Sequence, residues 1–326
     1  MRQVTVGSSG LTLSRLCFGT FTLSPHLAHL PFEEALDLIR FAFLKGVTTF
    51  ETGKDYQTRH LLRTALARGY EITIIDQASS YTYEEAEVHL AESLAIFEKD
   101  EADVFLLSDV RSPEDWLLRE PAWRYLEEAK AMGLVKAIGI STASVEVSRQ
   151  AIARPNLDIL LTVFNVYGLG LTDGTLSELE EVLRQGKEWG KIIGATKPLA
   201  GGMLIRDHLS SALSFVFCHP LVDLVSVGMV RREEVENCLS YAERGPVDRP
   251  VISAPPLPLR LYILDRCDGC EACIPVCPTN ALFLREGTAA VLEELCDACG
   301  KCGPVCPEDA LFLVPDLRVR SSASEQ

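Results

Sequence analysis

Eight of the chain's eleven cysteines fall between Cys267 and Cys306. Cys267, Cys270, Cys273 and Cys277 form the run CxxCxxCxxxCP, and Cys296, Cys299, Cys302 and Cys306 repeat it 29 residues later. The echo continues past the cysteines, with Pro278, Ala281, Leu282 and Phe283 returning as Pro307, Ala310, Leu311 and Phe312. Thiolates at such short gaps in a cytosolic chain bind metal rather than form disulfides. A zinc ribbon is the bland alternative, but zinc motifs use two separated CxxC pairs. Four cysteines closed by a proline, twice over, are the pattern of iron and sulfur, which pass single electrons. The remaining Cys17, Cys218 and Cys238 lie in apolar segments where a thiol packs as a small hydrophobe.

Positioning such ligands requires a folded host. With 326 residues and 47% hydrophobic content the chain can bury a large core, and its length suits one large domain and one small one. The 31 basic and 46 acidic residues leave a formal charge of −15, which repels phosphate backbones and anionic lipid. Nucleic acid and membrane surfaces are therefore poor partners, and a small molecule or a basic protein a better one. The first residues, MRQVTVGSSGLTLSR, alternate polar and apolar types around a glycine turn, as a hairpin does, and lack the apolar run of a signal peptide. Leu213 to Val230, the most apolar stretch, is broken by His219, Pro220 and Asp223, so no membrane span is expected. The expected compartment is the cytoplasm.

Proline-rich residues 246–258 mark a linker, because fixed backbone angles and missing amide donors prevent helix there. They separate a domain over 1–245 from a second over 259–316 and a tail over 317–326. In the first domain, short β-branched runs alternate with longer stretches of helical period. Strands are expected at Leu16–Phe18, Thr49–Glu51, Ile72–Asp76, Val104–Ser108, Ala137–Ser141, Ile159–Val163, Ile192–Thr196 and Leu224–Val227. Helices are expected at, among others, Phe32–Lys45, Tyr83–Phe97, Ala122–Met132, Leu176–Glu188 and Arg232–Glu243. Eight such units predict an α/β fold of the (β/α)8 TIM-barrel type. A doubly wound open sheet would ordinarily open with a GxGxxG turn, which this chain lacks.

Chemistry on a TIM barrel sits where the strands end. The residues there are Glu51, Asp76, Gln77, Ser108, Asp109, Ser141, Asn165, Lys197 and Gly228. Any one of them can be an ordinary loop residue, but the eight loops converge and some must line the mouth. Tyr167 to Gly174, YGLGLTDG, is a loop at one such end, either a lid or a turn.

The order of segments from Val4 to Glu243 resembles an aldo-keto reductase. VGSSGLTLSRLCFGT is similar to that family's opening hairpin and first strand, GVTTFETGKDY to its second strand and active-site loop, AWRYLEEAKAMGLVKAIGIST to its fourth helix and fifth strand, and KPLAGG and SVGMVRREEVEN to its seventh and eighth units. The resemblance implies a tetrad of Asp, Tyr, Lys and His at the barrel mouth, where tyrosine protonates a carbonyl as nicotinamide supplies hydride. Here Glu51 stands for the Asp, Tyr56 keeps the tyrosine, and Gln77 and Ser108 replace the lysine and histidine. A phenol titrates near 10 and needs a neighbouring ammonium to ionise more easily; Gln77 brings no charge and Glu51 works against the phenolate. Lys197, in TKPLAGG, is the candidate for a compensating charge. The resemblance also places NAD(P) against Gly228, Met229, Arg231, Arg232 and Asn237, where the arginines could pair with a ribose phosphate. The family's Ser-Asn pair for the carboxamide stands as Ser141 and Thr142, and its stacking aromatic is absent from GATKP.

The second domain resembles the bacterial two-cluster ferredoxins, small α+β domains. That resemblance implies interlocked ligation, the fourth cysteine of each run reaching across to the other [4Fe-4S] cluster. Cys267, Cys270, Cys273 and Cys306 would then hold one cluster, and Cys296, Cys299, Cys302 and Cys277 the other. The whole is expected to be an iron–sulfur oxidoreductase that exchanges electrons between a redox partner, such as a ferredoxin-like donor, and a small molecule at the Tyr56 mouth. The alternatives are an NAD(P)H-dependent carbonyl reductase with an accessory ferredoxin module and a non-catalytic electron-transfer or docking subunit.

Overall fold

A computed structural model describes residues 1–7, 9–24, 30–244, 259–277, 279–296, 302–303 and 305–315. The chain divides into two compact units, one of Met1–Val166 and Asp173–Pro250, the other of Tyr167–Thr172 and Val251–Gln326. The predicted linker over 246–258 and the tail over 317–326 lie outside the described residues.

The first unit opens with an antiparallel hairpin, β1 (Gln3–Val6) and β2 (Leu11–Ser14). Eight parallel strands then close a barrel: β3 (Leu16–Gly19), β4 (Thr49–Glu51), β5 (Thr73–Ala78), β6 (Ala102–Val110), β7 (Val135–Thr142), β8 (Ile159–Val163), β9 (Ile192–Thr196) and β10 (Leu224–Gly228), with β10 pairing β3. All eight expected strands are present, as a (β/α)8 barrel requires. Helices α1 (Phe32–Leu44), α2 (Arg59–Ala67), α3 (Tyr83–Phe97), α4 (Pro113–Leu118), α5 (Glu120–Ala131), α6 (Val145–Ile152), α7 (Leu176–Glu188), α8 (Ile205–Cys218) and α9 (Arg232–Ala242) run between and after them. The sharpest boundaries have chemical causes. Thr82 with Glu85, and Thr175 with Glu178, form reciprocal capping boxes that start α3 and α7 where helical period begins.

The barrel interior is graded from floor to mouth. Val6, Leu11 and Leu13 of the hairpin join Ile75, Val104, Leu106, Ile159, Leu161 and Leu224 in one buried cluster that fills the lower lumen. Each such side chain contributes about 1.5–3 kcal/mol by leaving water. Around the floor a single device recurs three times. Asp103, Asp158 and Asp223 accept the backbone N–H of Ile74, Ile138 and Ile193 on the neighbouring strand, while Lys99, Lys130 and Lys187 pair with the same carboxylates. Each clamp ties one βα unit to the start of the next.

Towards the mouth the inward residues turn polar, and one glycine makes room for them. Gly19 of β3 lies in register between Glu51 and Gly228. A methyl group there would stand 2.9 Å from Ser226 Oγ and 3.2 Å from Glu51 Oε2, closer than side-chain atoms tolerate.

The second unit carries two antiparallel pairs, β11 (Leu259–Ile263) with β14 (Leu311–Pro315), and β12 (Leu282–Arg285) with β13 (Thr288–Val291). The first cysteine run lies between β11 and β12 and the second between β13 and β14. Among the described residues no helix is long and apolar enough to cross a membrane.

Gly19→Ala should lose about 1–3 kcal/mol of stability by overpacking the polar end of the barrel, and Ser226→Ala in the same chain should recover part of the loss. Urea unfolding followed by far-UV circular dichroism measures both; a Gly19→Ala chain as stable as its parent would show that the Ser226–Glu51 contact does not constrain this strand.

Candidate active site and cluster ligands

Glu51 ends β4 with its side chain turned into the barrel, and the chain then leaves through Thr52 into a 3-10 turn, Lys54–Tyr56, that brings Tyr56 back over it. Three hydroxyls hold this turn. Thr20 Oγ1 donates to the Glu51 carbonyl (3.0 Å), and Thr58 Oγ1 lies 2.7 Å from Thr20 Oγ1 and 3.0 Å from Thr52 Oγ1. Gln57, in the left-handed conformation at φ 57°, reverses the chain after the tyrosine.

The result is a closed hydrogen-bonded network. Tyr56 Oη donates to Glu51 Oε1 at 2.8 Å, Gln77 Nε2 donates to the same carboxyl oxygen at 2.5 Å and to Tyr56 Oη at 2.9 Å, and Ser226 Oγ donates to Glu51 Oε2 at 2.8 Å. Behind Gln77, Ser141 Oγ donates to Oε1 (2.8 Å) and accepts from the Asp109 backbone N–H (3.0 Å). That bond fixes the amide with its NH2 group towards the acid and phenol.

Glu51, Gln77 and Ser226 are buried, whereas Tyr56 is half-buried, its ring packed 4.9 Å from that of Phe21. Burial pushes the Glu51 carboxyl above its ordinary 4.5; hydrogen bonds from Ser226, Tyr56 and Gln77 restrain the rise and the charge of Asp76 adds to it. Burial likewise drives the Tyr56 phenol well above 10, reinforced by Glu51, Asp109 and Asp76. Both groups therefore retain their protons more firmly than they would in water.

The other sequence candidates divide. Asp76 is a correction to the expected mouth: alternation along β5 turns it outward, where it pairs with Arg59 (2.9 and 3.0 Å) and accepts from Ser93 (2.6 Å), anchoring α2 and α3. Ser108 offers its carbonyl to Arg119 (3.0 Å), and Asp109, exposed and at φ 52°, pairs with Arg111 (2.8 Å). Asn165 donates to the carbonyl of Lys197 (3.4 Å), linking the ends of β8 and β9. Lys197 is exposed at φ 48°, and the bonds of the Glu51–Tyr56–Gln77–Ser141 network do not run to it. Gly228 lies under Thr22, whose methyl would stand 2.3 Å from a Cβ there. Arg231 is exposed, Arg232 stacks its guanidinium over Phe41 (5.2 Å), and Asn237 accepts from Ser240 through its carbonyl. Glu234 takes the Val230 N–H at the start of α9.

Two residues escaped the sequence reading. Ser226 could have been found, because it shares an inward face with Leu224 by strand alternation. Arg119, 2% exposed, ties Ser79, Tyr81, Asp115 and the carbonyls of Ser108 and Asp109 together at the ends of β5 and β6, and its surroundings carry no motif.

In the second unit Cys267, Cys273, Cys277, Cys296, Cys302 and Cys306 pack with Leu261, Leu282 and Leu311 in one cluster, while Cys270 is exposed and Cys299 lies outside the described residues. Backbone amides point at the sulfurs: Ala281 N donates to Cys277 Sγ (3.2 Å), Ala310 N to Cys306 Sγ (3.3 Å) and Ala289 N to Cys267 Sγ (3.3 Å). Amide donors around thiolates in an apolar shell fit an iron–sulfur centre, which carries negative charge on its sulfurs. Among the described residues no three His, Cys, Asp or Glu side chains close on a single ion; a cubane asks instead for one thiolate per iron.

The 4Fe-4S dicluster domain model matches residues 266–313. No curated protein matches the chain. Among solved structures, two of an aldo-keto reductase from Pseudomonas aeruginosa are 21% and 20% identical, with TM-scores of 0.63 and 0.64; each covers 74% of this chain, and 94% and 95% of the chain compared. An aldo-keto reductase from Bacillus halodurans in its holo form is 18% identical, with a TM-score of 0.64, over 76% of this chain and 92% of its own. At such identities the likeness is one of fold. The aldo/keto reductase family model matches residues 15–212, so this chain, an iron–sulfur oxidoreductase, belongs to the aldo/keto reductase family.

Proposed function

We propose that the barrel mouth binds a small organic substrate and supplies it with protons from Tyr56 and Glu51, while electrons enter or leave singly through two [4Fe-4S] clusters in the second unit. The observation that carries this reading is the set of partners around the phenol. Tyr56 Oη is bonded to Glu51 and Gln77, and no cation is among them. In the tetrad that the family resemblance implies, an ammonium eases the proton off the tyrosine for hydride chemistry. Gln77 and Glu51 do the reverse.

The residues that would grip nicotinamide do not fit it. Ser141 is bonded to Gln77 and Asp109, and Thr142 donates to the Val110 carbonyl (2.6 Å) and accepts from Ser144 N (3.0 Å), so both hydroxyls of the carboxamide pair are spent within the chain. No step here uses a hydride. Cys267, Cys270, Cys273 and Cys306 would hold one cluster and Cys296, Cys299, Cys302 and Cys277 the other; each cluster, when bound, takes up or gives one electron.

The chain's own residues handle the proton. A substrate that has gained an electron is more basic, and it draws the proton from Tyr56 Oη, the member of the network on the exposed side. Glu51, 2.8 Å behind and with its proton affinity raised by burial, is the group placed to pass a proton to the phenolate. Gln77 holds the two oxygens together and Ser141 holds Gln77. Lys197 is assigned the task of meeting substrate charge at the mouth rather than of ionising Tyr56. The electron source in this reading is a redox partner protein or a ferredoxin-like donor.

Infrared spectra of the chain minus those of Glu51→Gln should show the carboxyl titrating above its ordinary 4.5; a midpoint at or below 4.5 would refute the raised proton affinity. A raised carboxyl stabilises the fold below 4.5 and loses that contribution as pH rises through its folded value. Glu51→Gln should therefore flatten this part of the stability–pH curve.

The function is tested by anaerobic titration of the iron- and sulfide-reconstituted chain with NADH and NADPH, following nucleotide fluorescence and cluster absorbance together. We expect neither nucleotide to bind and dithionite to bleach the clusters. Nucleotide binding without bleaching would establish instead a carbonyl reductase with an accessory ferredoxin module.

A further inference from the structure

Arg119, just past α4, is 2% exposed, and the proton chemistry above makes no use of it. Its guanidinium is divided among acceptors at the ends of β5 and β6. Nε donates to Asp115 (3.1 Å), Nη1 to Ser79 Oγ (3.1 Å) and the Ser108 carbonyl (3.0 Å), and Nη2 to Tyr81 Oη (3.0 Å) and the Asp109 carbonyl (3.4 Å). One of these bonds leads back to the Glu51 network.

The Ser108 carbonyl and the Asp109 N–H belong to a single planar peptide group and face opposite ways across it. Arg119 grips the carbonyl end, and the N–H end donates to Ser141 Oγ at 3.0 Å. A backbone N–H can only donate, so Ser141 accepts there and its own proton goes to Gln77 Oε1 at 2.8 Å. That turns the oxygen of the Gln77 amide towards Ser141 and its NH2 group towards Glu51 and Tyr56. Every bond from the guanidinium to the carboxyl therefore points the same way. Donors aligned in series polarise one another, so a cation at the start strengthens the last bond.

The peptide is held against its own preference. Asp109 has φ 52°, in the left-handed region that residues with a Cβ avoid, and the register of β6 with β7 shifts between Leu107 and Val110, just where this peptide lies. Turning the Ser108–Asp109 peptide over would relieve Asp109 and present a carbonyl to Ser141. Ser141 would then donate to that carbonyl, and Gln77 would lose the bond that orients its amide. Resting on the proton-supplying reading above, we propose that Arg119 is a positioning residue for Glu51 and Tyr56. By holding the Ser108 carbonyl it keeps the peptide, Ser141 and Gln77 aligned, so that Gln77 donates to both oxygens. The cation that the family's tetrad keeps beside its tyrosine stands here one peptide and two side chains away.

The test is the infrared titration of Glu51 in the full chain, each variant measured against the same variant carrying Glu51→Gln. The titratable groups around this carboxyl are Tyr56, Cys17 of β3 and Asp76 of β5, the last paired with Arg59, and the variants leave all of them in place. Donation from Gln77 favours the carboxylate, so weakening it moves the midpoint to higher pH. Ser141→Ala and Arg119→Gln should each shift it upward, and the two together should shift it no further than one alone, because both cut the same chain. Arg119→Lys, which keeps the charge and loses the planar fork, replaces Arg119→Gln if that chain does not fold, and is held to the same outcome. Additive shifts, or a folded variant whose midpoint does not move, overturn the role of Arg119 while leaving the proton-supplying reading in place. A parent midpoint at or below 4.5 would sink that reading and this inference with it.

Discussion

A carboxyl group buried inside a closed barrel has to be given partners, and much of the first unit's upper half is arranged around supplying them to Glu51. Three donors converge on it, from a turn after its own strand, from the next strand and from the last one. Gly19 has no side chain because one would occupy the space that Ser226 and Glu51 use. The hydroxyls of Thr20, Thr52 and Thr58 hold the turn that returns Tyr56, and Ser141 keeps the Gln77 amide from rotating its oxygen towards the acid. Left unpaired, a polar group at this depth would cost several kcal/mol. Burial makes it hold its proton more firmly, and these neutral donors, with no cation among them, offset that only in part.

The second unit meets a related demand by different means. A cluster of sulfide and thiolate needs its negative charge spread over donors, and here backbone N–H groups do much of it, since Ala281, Ala289 and Ala310 all aim their amides at sulfur. Backbone donors follow from the chain path, and the Ala281 and Ala310 bonds recur with the repeat of the sequence.

What could be read from the sequence follows from which signals are local. Short β-branched runs between stretches of helical period located all eight barrel strands, because parallel strands buried on both faces leave little else for those segments to be. The helices beginning at Tyr83 and Leu176 were legible from apolar residues at three- and four-residue spacing, and the structure adds the capping boxes that set their first turns. Strand ends were harder. β5 runs through Ala78, beyond the expected Asp76, and the alternation that turns Ile75 into the barrel turns Asp76 out and Gln77 in. Asp76 was expected at the mouth because position along a strand was known and direction was not. Ser226 was missed because its partner Glu51 is 175 residues away on another strand, and Arg119 because its partners Ser79, Tyr81, Ser108, Asp109 and Asp115 come together only when the ends of β5 and β6 meet α4.

The apolar floor has a consequence for traffic. With the hairpin packed under a lumen already filled by Ile75, Leu106, Leu161 and their neighbours, the barrel is a cup rather than a tube. On the proposed function, a substrate that enters over Tyr56 must leave the same way, so departure of one molecule has to precede arrival of the next.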